Sequence, residues 1–342
     1  MAAPLPATAT IVPEDPWSET KLKEAVEVWN LTPSQEQQLR VLQIKLKDIQ
    51  HEWNDPHVVL GYCTTSPDGF QTAEASFRAM IEWRLHNRVD ELLTNYKPNP
   101  LVLDNSPIAF LKDYDKDGDP IYLERGGAVD VKGLLERFSR DELMQHAIWL
   151  REVQSSGAWV DEYERRQGRP VCNITVVYDL EGLCARHLQP SVLGWFQQLM
   201  RITENYYPGP IKRMIIIRAP AIFRIGWATI KHFFSAESQD KMIFADSDHL
   251  AVLEKYMDLD ALPSCINPTG KGETAIGMPK RMEGGLIDNH VGKGGQGYVP
   301  DPRNSGISGA KPTEAASVVS STGNTQLEKT AAALSMVSIA AL

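Results

Sequence analysis

The stretch KDYDKDGDPIYLE, Lys112 to Glu124, decides between two folds. Counted from Asp113, aspartates stand at loop positions one, three and five, Gly118 at six and Glu124 at twelve, the full spacing of an EF-hand calcium loop. A calcium hand needs a helix on each side. The exiting segment PIYLERGG is β-like and ends at two glycines. Pro120 takes position eight, where a hand places a β-branched residue for pairing, and the sequence holds no second hand. The better reading is a tight Asp/Gly turn feeding a short strand at 121–123, with no metal expected.

Outward from that strand, helical and β-like stretches alternate. VCNITVVYDL (171–180) and IKRMIIIRAP (211–220) are rich in β-branched residues and predict buried strands, and KMIF (241–244) a third. Helices are predicted at about 139–167, where Ser139 and Glu142 supply the cap, then at 190–206, 221–234 and 249–257. Strands alternating with helices imply a largely parallel sheet with covered faces, an α/β fold.

Before residue 100 the pattern is helical. Thr32-Pro33-Ser34-Gln35 is a capping box with proline at the first helical position. Leu39, Leu42, Leu46, Ile49 and Trp53 then form one apolar stripe. A helix at about 72–96 buries Phe77, Met80, Ile81, Val89 and Leu92, and Pro98 and Pro100 end it. Residues 1–16 read as a flexible, Pro-rich leader rather than a signal peptide. From Lys271 the composition shifts to Gly, Ser, Pro, Ala and Thr without a clear period, so 271–342 is expected to be mostly disordered.

The 342 residues are 42% hydrophobic and 23% charged, ordinary for a globular protein, and the net charge of −9 disfavours a nucleic-acid partner. No apolar run reaches the roughly 20 residues of a membrane span. Cys63, Cys172, Cys184 and Cys265 lie far apart without a C-x-x-C, which fits a reduced, cytoplasmic protein.

Few motifs carry chemistry. Gly292 to Gly297 matches G-x-G-x-x-G, but no strand precedes it and no helix follows, so it reads as tail composition. Gly270-Lys271 lacks the remainder of a P-loop. The histidines show no H-E-x-x-H spacing, and no G-x-S-x-G elbow exists. The sequons at Asn30 and Asn173 would go unused in a cytosolic chain. Asp179 and Glu181 end the strongest strand, where α/β enzymes place carboxylates, but a strand-end turn with structural hydrogen bonds is the favoured reading. In AIFRIGWATIKHFFS, Phe223, Trp227, Ile230 and Phe234 recur at helical spacing, and Ile222, Gly226 and Phe233 widen the stripe. Alone this describes a core helix. Directly after a buried strand, it also suits a roof over a lipid cavity.

Taken in order, FRAMIEWR (77–84), DKDGDPIYLERGG, VVYDLEG (176–182), the long run NYYPGPIKRMIIIRAPAIFRIGWATIKHFFSAESQDKMIF and the closing Leu262-Pro263 resemble the CRAL-TRIO lipid-binding family over about residues 53–266. The resemblance implies a mixed, mainly parallel sheet lining an apolar cavity, with flanking helices and a helical N-terminal region. It implies a helical region at 17–99, a lipid-binding domain at 100–270, and a mobile gate helix at about 223–234. The gate and lipid-contact candidates are Phe223, Trp227, Ile230, Phe233 and Phe234. Lys241 matches a lysine that helps hold the headgroup in a phosphatidylinositol-binding member. There are departures. The family's headgroup glutamate is replaced by Gly209, the basic segment before the helical region by VVLGYCTTSPDGF (58–70), a common asparagine by Arg218, and the closing Gly-Gly by NPTG.

The expected function is binding of a hydrophobic or phospholipid ligand, with transfer between membranes and transient contact with a membrane surface. No catalysis and no cofactor are expected, and protein partners are unknown. The alternatives are a lipid-sensing signalling or scaffold module that does not transfer, and an α/β enzyme using Asp179 and Glu181.

Overall fold

The computed structural model describes residues 15, 17–64, 68–156, 158–208, 211–223, 227, 231–245 and 248–273. The chain divides into two compact units, Met1–Arg78 and Ala79–Leu342.

The first unit is helical, with α1 (Glu19–Val28), α2 (Pro33–Leu46), α3 (Pro56–Thr64) and the start of α4 (Gly69–Asn87). The capping box is formed: Thr32 N–H donates to Gln35 Oε1 at 2.9 Å, and Gln35 N–H donates to Thr32 Oγ1 at 3.3 Å. Leu39, Leu42 and Leu46 are the buried stripe, but α2 stops at Leu46, so Ile49 and Trp53 belong to the loop beyond it. Asn54 organises that loop. Its amide donates to the Leu46 and Ile49 carbonyls at 3.1 and 2.8 Å, and its oxygen accepts from the Trp17 indole at 2.9 Å. This amide thus satisfies a carbonyl that the helix end leaves open.

In the second unit the helix expected at 72–96 is broken. Arg88 adopts a left-handed conformation (φ 53°), so α4 ends at Asn87, and a short turn leads to α5 (Leu92–Asn95) and α6 (Pro100–Asp104). The strands are β1 (Ile108–Tyr114), β2 (Pro120–Glu124), β3 (Ile174–Asp179), β4 (Ile211–Ile217) and β5 (Met242–Phe244). Between them lie α7 (Val131–Arg137), α8 (Arg140–Ser156), α9 (Ala158–Gln167), α10 (Pro190–Tyr206) and α11 (Ala236–Asp240), and α12 (His249–Leu253) follows. The single helix expected at 139–167 is the pair α8 and α9.

The sheet order is β1-β2-β3-β4-β5, with β1 antiparallel to β2 and every other pairing parallel. Each crossover therefore steps in the same direction, and right-handed crossovers taken that way all fall on one face. Contacts agree. Phe110 of β1 stacks on Trp159 of α9 with centroids 3.5 Å apart, and the Tyr122 hydroxyl of β2 accepts from Gln154 Nε2 of α8 at 2.5 Å. Strand alternation sends Ile121, Leu123, Val177, Ile215 and Ile217 to the other face, where they pack with Leu253, Met257, Leu262 and Ile266 from α12 and the segment after it. That face is a closed aliphatic core. The first carries Phe110, Tyr122, Glu124 and Tyr178 beside Val176 and Ile216.

Two further features tie the unit together. Arg84, with no exposed surface, makes a bidentate pair with Glu152 at 2.9 and 2.8 Å and reaches Asp90 at 2.7 Å, while the Tyr207 hydroxyl donates to Glu152 at 2.6 Å. This links α4, α8 and the residue after α10. At the other end, Lys112 N–H donates to the Glu273 carbonyl at 2.7 Å and Gly272 N–H to the Leu262 carbonyl at 3.1 Å. A Cβ at Gly272 would lie 1.9 Å from the Ala261 carbonyl oxygen, so only glycine fits. Residues 271–273 thus belong to the packed chain. Of the leader expected at 1–16, residues 1–14 and 16 lie outside the described residues, as does the tail from 274 onward. Among the described residues no helix is long and apolar enough to cross a membrane. The four cysteines are free.

Candidate functional site

The residues after β4 carry the expected gate. Residues 221–223 and 227 are helical, and a short helical turn covers Lys231–Phe233. Phe223 and Phe234 are buried and Trp227 is half-buried. Trp227 lies 5.9 Å from Phe223 and 6.2 Å from Phe234 between ring centroids. Phe244 of the edge strand β5 joins them, 5.1 Å from Trp227 and 5.9 Å from Phe223. It is 38% exposed and was not singled out by the sequence, because a lone aromatic in a three-residue strand has no periodicity. Each such ring pair contributes about 0.5–1.5 kcal/mol beyond area burial. Ile230 and the Phe233 side chain lie outside the described residues.

Both ends of this segment are fastened. Upstream, Arg218 is left-handed (φ 52°), which explains why an asparagine would suit its place. Its guanidinium donates to the fully buried Asp179 at 2.9 and 2.5 Å and pairs with Glu181 at 2.8 Å. Arg125 bonds Asp179 from the other side at 3.1 Å and lies 3.7 Å from Glu181. The two carboxylates weighed as a catalytic pair share the same two arginines, the arrangement of a structural clamp at the ends of β3 and β4. Downstream, Gln239 of α11 donates to the carbonyls of Lys231 and Phe234 at 2.8 and 3.1 Å, and Ser238 Oγ donates to Glu204 of α10 at 3.0 Å.

Lys241, the headgroup candidate, caps α11 and pairs with Glu237 one turn earlier at 2.6 Å. The position of the family's glutamate, Gly209, lies outside the described residues. Lys241 nevertheless has a carboxylate partner, from a residue that sequence reading passed over.

The Asp-rich turn is resolved in detail. Asp115 Oδ1 accepts from the Asp117 and Asp119 N–H groups at 2.9 and 2.8 Å, an Asx turn leading into β2. Asp115, Asp117 and Asp119 carboxylates converge within 4.8 Å of one another. Three cations meet them. Lys212 lies 2.9 Å from both Asp117 and Asp119, Arg213 lies 3.2 Å from Asp115, and Arg169 lies 2.9 Å from Asp119. Hydrogen bonds from Arg213 and Lys212 pull the Asp117 carboxyl down to about 2. Glu124, position twelve of the supposed calcium loop, sits at the far end of β2, about 13 Å along the strand from Pro120. The loop spacing therefore does not close around one point.

Glu124 instead stands on the Tyr122 face of the sheet, 2% exposed. Burial raises its pKa to about 7, against the pull of Arg151. Arg151 Nη1 donates to Gln154 Oε1 at 2.6 Å, and Gln154 donates in turn to Tyr122. Read as a metal position, Glu124 hid this role.

The sequence model of the CRAL/TRIO domain matches residues 104–267. Among curated proteins, "Protein real-time" of Aedes aegypti is 29% identical over 269 residues, covering 77% of this chain and 40% of that protein. "Protein real-time" of Drosophila melanogaster is 30% identical over 264 residues, covering 75% and 38%. The chain thus spans about two-fifths of the length of these relatives. The crystal structure of Sfh5 superposes with a TM-score of 0.46 at 16% identity, over 59% of this chain and 70% of that one. Residues 104–267, which hold the mixed, mainly parallel sheet, are a CRAL/TRIO domain.

Proposed function

We propose that this chain binds one hydrophobic or phospholipid molecule between the Tyr122 face of the sheet and the crossover helices, behind the 223–234 gate, and transfers it between membranes. The match of residues 104–267 to the CRAL/TRIO domain supports the general reading. The observation that carries the finer one is the asymmetry of the sheet. One face is closed by an aliphatic core, and the other holds Phe110, Tyr122 and Glu124 beneath the crossover helices, with the aromatic gate cluster at the β5 edge. Each buried CH2 contributes about 0.8 kcal/mol, so a two-chain lipid rewards a deep apolar site. Arg218 and Gln239 hold the chain on either side of the gate, through Asp179 and through the Lys231 and Phe234 carbonyls. The gate opens at a bilayer, where a lipid crosses without meeting water, so membrane contact is transient and peripheral. Lys241 offers a charge to an anionic headgroup.

The test is vesicle-to-vesicle transfer of a fluorescent phosphatidylcholine, run beside mass spectrometry of the lipid-loaded chain. Bound lipid with transfer supports the proposal. Bound lipid without transfer identifies a lipid-sensing module, and turnover of a substrate lost in folded Asp179→Asn identifies an enzyme.

A further inference from the structure

We propose that Glu124 and Arg151 form a receptor for one neutral hydroxyl on the ligand, so that the chain prefers apolar molecules ending in a hydroxyl to the same molecules with that group capped. This rests on the lipid-binding reading and names the ligand class of that same site.

The argument is one of unmet hydrogen bonds. Among the described residues, Glu124 Oε1 and Arg151 Nε are both buried without a partner. Tyr122 hydrogen-bonds the Glu124 carboxyl and Arg151 acts on it through charge, but Oε1 is left over, and among the described residues no ion pair joins Arg151 to it. The reason is visible in α8. Arg151 turns its Nη1 to Gln154 Oε1 at 2.6 Å, and Gln154 is held in turn by the Tyr122 hydroxyl at 2.5 Å. The arginine is thus kept off the carboxyl. A buried acceptor and a buried donor, each unsatisfied, are costly enough that native structures rarely retain them unless something fills the gap. The filling group must accept from an N–H and donate to a carboxyl oxygen. A hydroxyl does both, whereas an ether oxygen only accepts. An anionic phosphate meets Arg151 well but sets its charge against Glu124. The pair lies on the face that the crossover helices cover, where the raised pKa of Glu124 reports exclusion of water.

The full-length chain is titrated with vesicles of phosphatidylcholine carrying either a pyrene-labelled dodecanol or its methyl ether, and uptake is read by fluorescence. The expected result is about tenfold tighter uptake of the alcohol, the effect of one buried hydrogen bond. The ratio falls to about one in Glu124→Leu and in Arg151→Met. Thermal melting checks that each variant is folded, and Arg151→Met, a change at a partly exposed side chain, decides the matter if Glu124→Leu does not fold. Equal uptake of alcohol and ether by the unmodified chain, or a tenfold preference that survives Arg151→Met, overturns the inference while the lipid-binding reading stands. Failure of both probes to leave the vesicles overturns that reading as well.

Discussion

Glu124 holds its proton more tightly in the folded chain than in the unfolded one, because burial penalises the carboxylate. The sign follows from linkage. Between the unfolded value near 4.3 and the folded value of about 7, the native state binds more protons, so stability falls as pH rises through that window and is level above it. Glu124→Gln removes the titration. It is expected to gain stability over the unmodified chain on going from pH 5 to pH 8, by about 3 kcal/mol at most. Urea melts at the two pH values check this, and parallel profiles for the two proteins contradict it. Arg84 presents the opposite case. Its charge is buried but doubly bonded to Glu152. Glu152→Ala takes the bidentate carboxylate from this buried charge and removes the bond that the Tyr207 hydroxyl donates, so a loss of about 3–5 kcal/mol is expected in denaturant melts. A loss under 1 kcal/mol would show that the link between α4 and α8 matters little.

At the scale of elements, the gate segment and the Asp turn each carry a prediction. Trp227 is only half-buried, so Trp227→Ala should cost less than the about 3–5 kcal/mol of a core tryptophan while slowing fluorescent-lipid exchange severalfold. A melt shifted by the full core cost with exchange per folded molecule unchanged would return this residue to the core. Gln239→Ala frees the downstream end of the proposed gate and should speed exchange. In the Asp turn, calorimetric titration with calcium should show no micromolar site that Glu124→Gln abolishes, since β2 carries Glu124 away from the converging aspartates. Such a site would restore the calcium-loop reading. These elements also show what the sequence displays and what it hides. The strands β3 and β4 and the helix α10 announce themselves through β-branched runs and a proline start. The strand β1 was obscured by the loop spacing laid over its last residues. The helix α3 has Val59, Leu60, Tyr62 and Cys63 all buried and so shows no amphipathic period. The break between α8 and α9, and the end of α4 at a left-handed Arg88, depend on tertiary context rather than on propensity. The arginine clamp unites Arg125, Asp179 and Arg218, residues far apart in sequence, and no local pattern could have announced it.

For the molecule as a whole, the order of the strands is the organising fact. Because β1 to β5 follow one another across the sheet, the crossover helices share a face, and the chain after β5 closes the other. The closure runs through Glu273, so a chain truncated after residue 273 should keep its melting midpoint and its lipid binding. Truncation before Lys271 removes the Gly272 and Glu273 bonds and should lower the midpoint. Equal midpoints for the two truncations would contradict the role given to residues 271–273. The central claim is that this fold encloses a lipid. Native mass spectrometry of the full chain, after incubation with vesicles of a total lipid extract and removal of the vesicles, tests it most directly. The account predicts a complex of one chain with one lipid whose mass disappears on organic extraction. A chain that emerges from the vesicles with only its own mass, folded and unliganded, would contradict it.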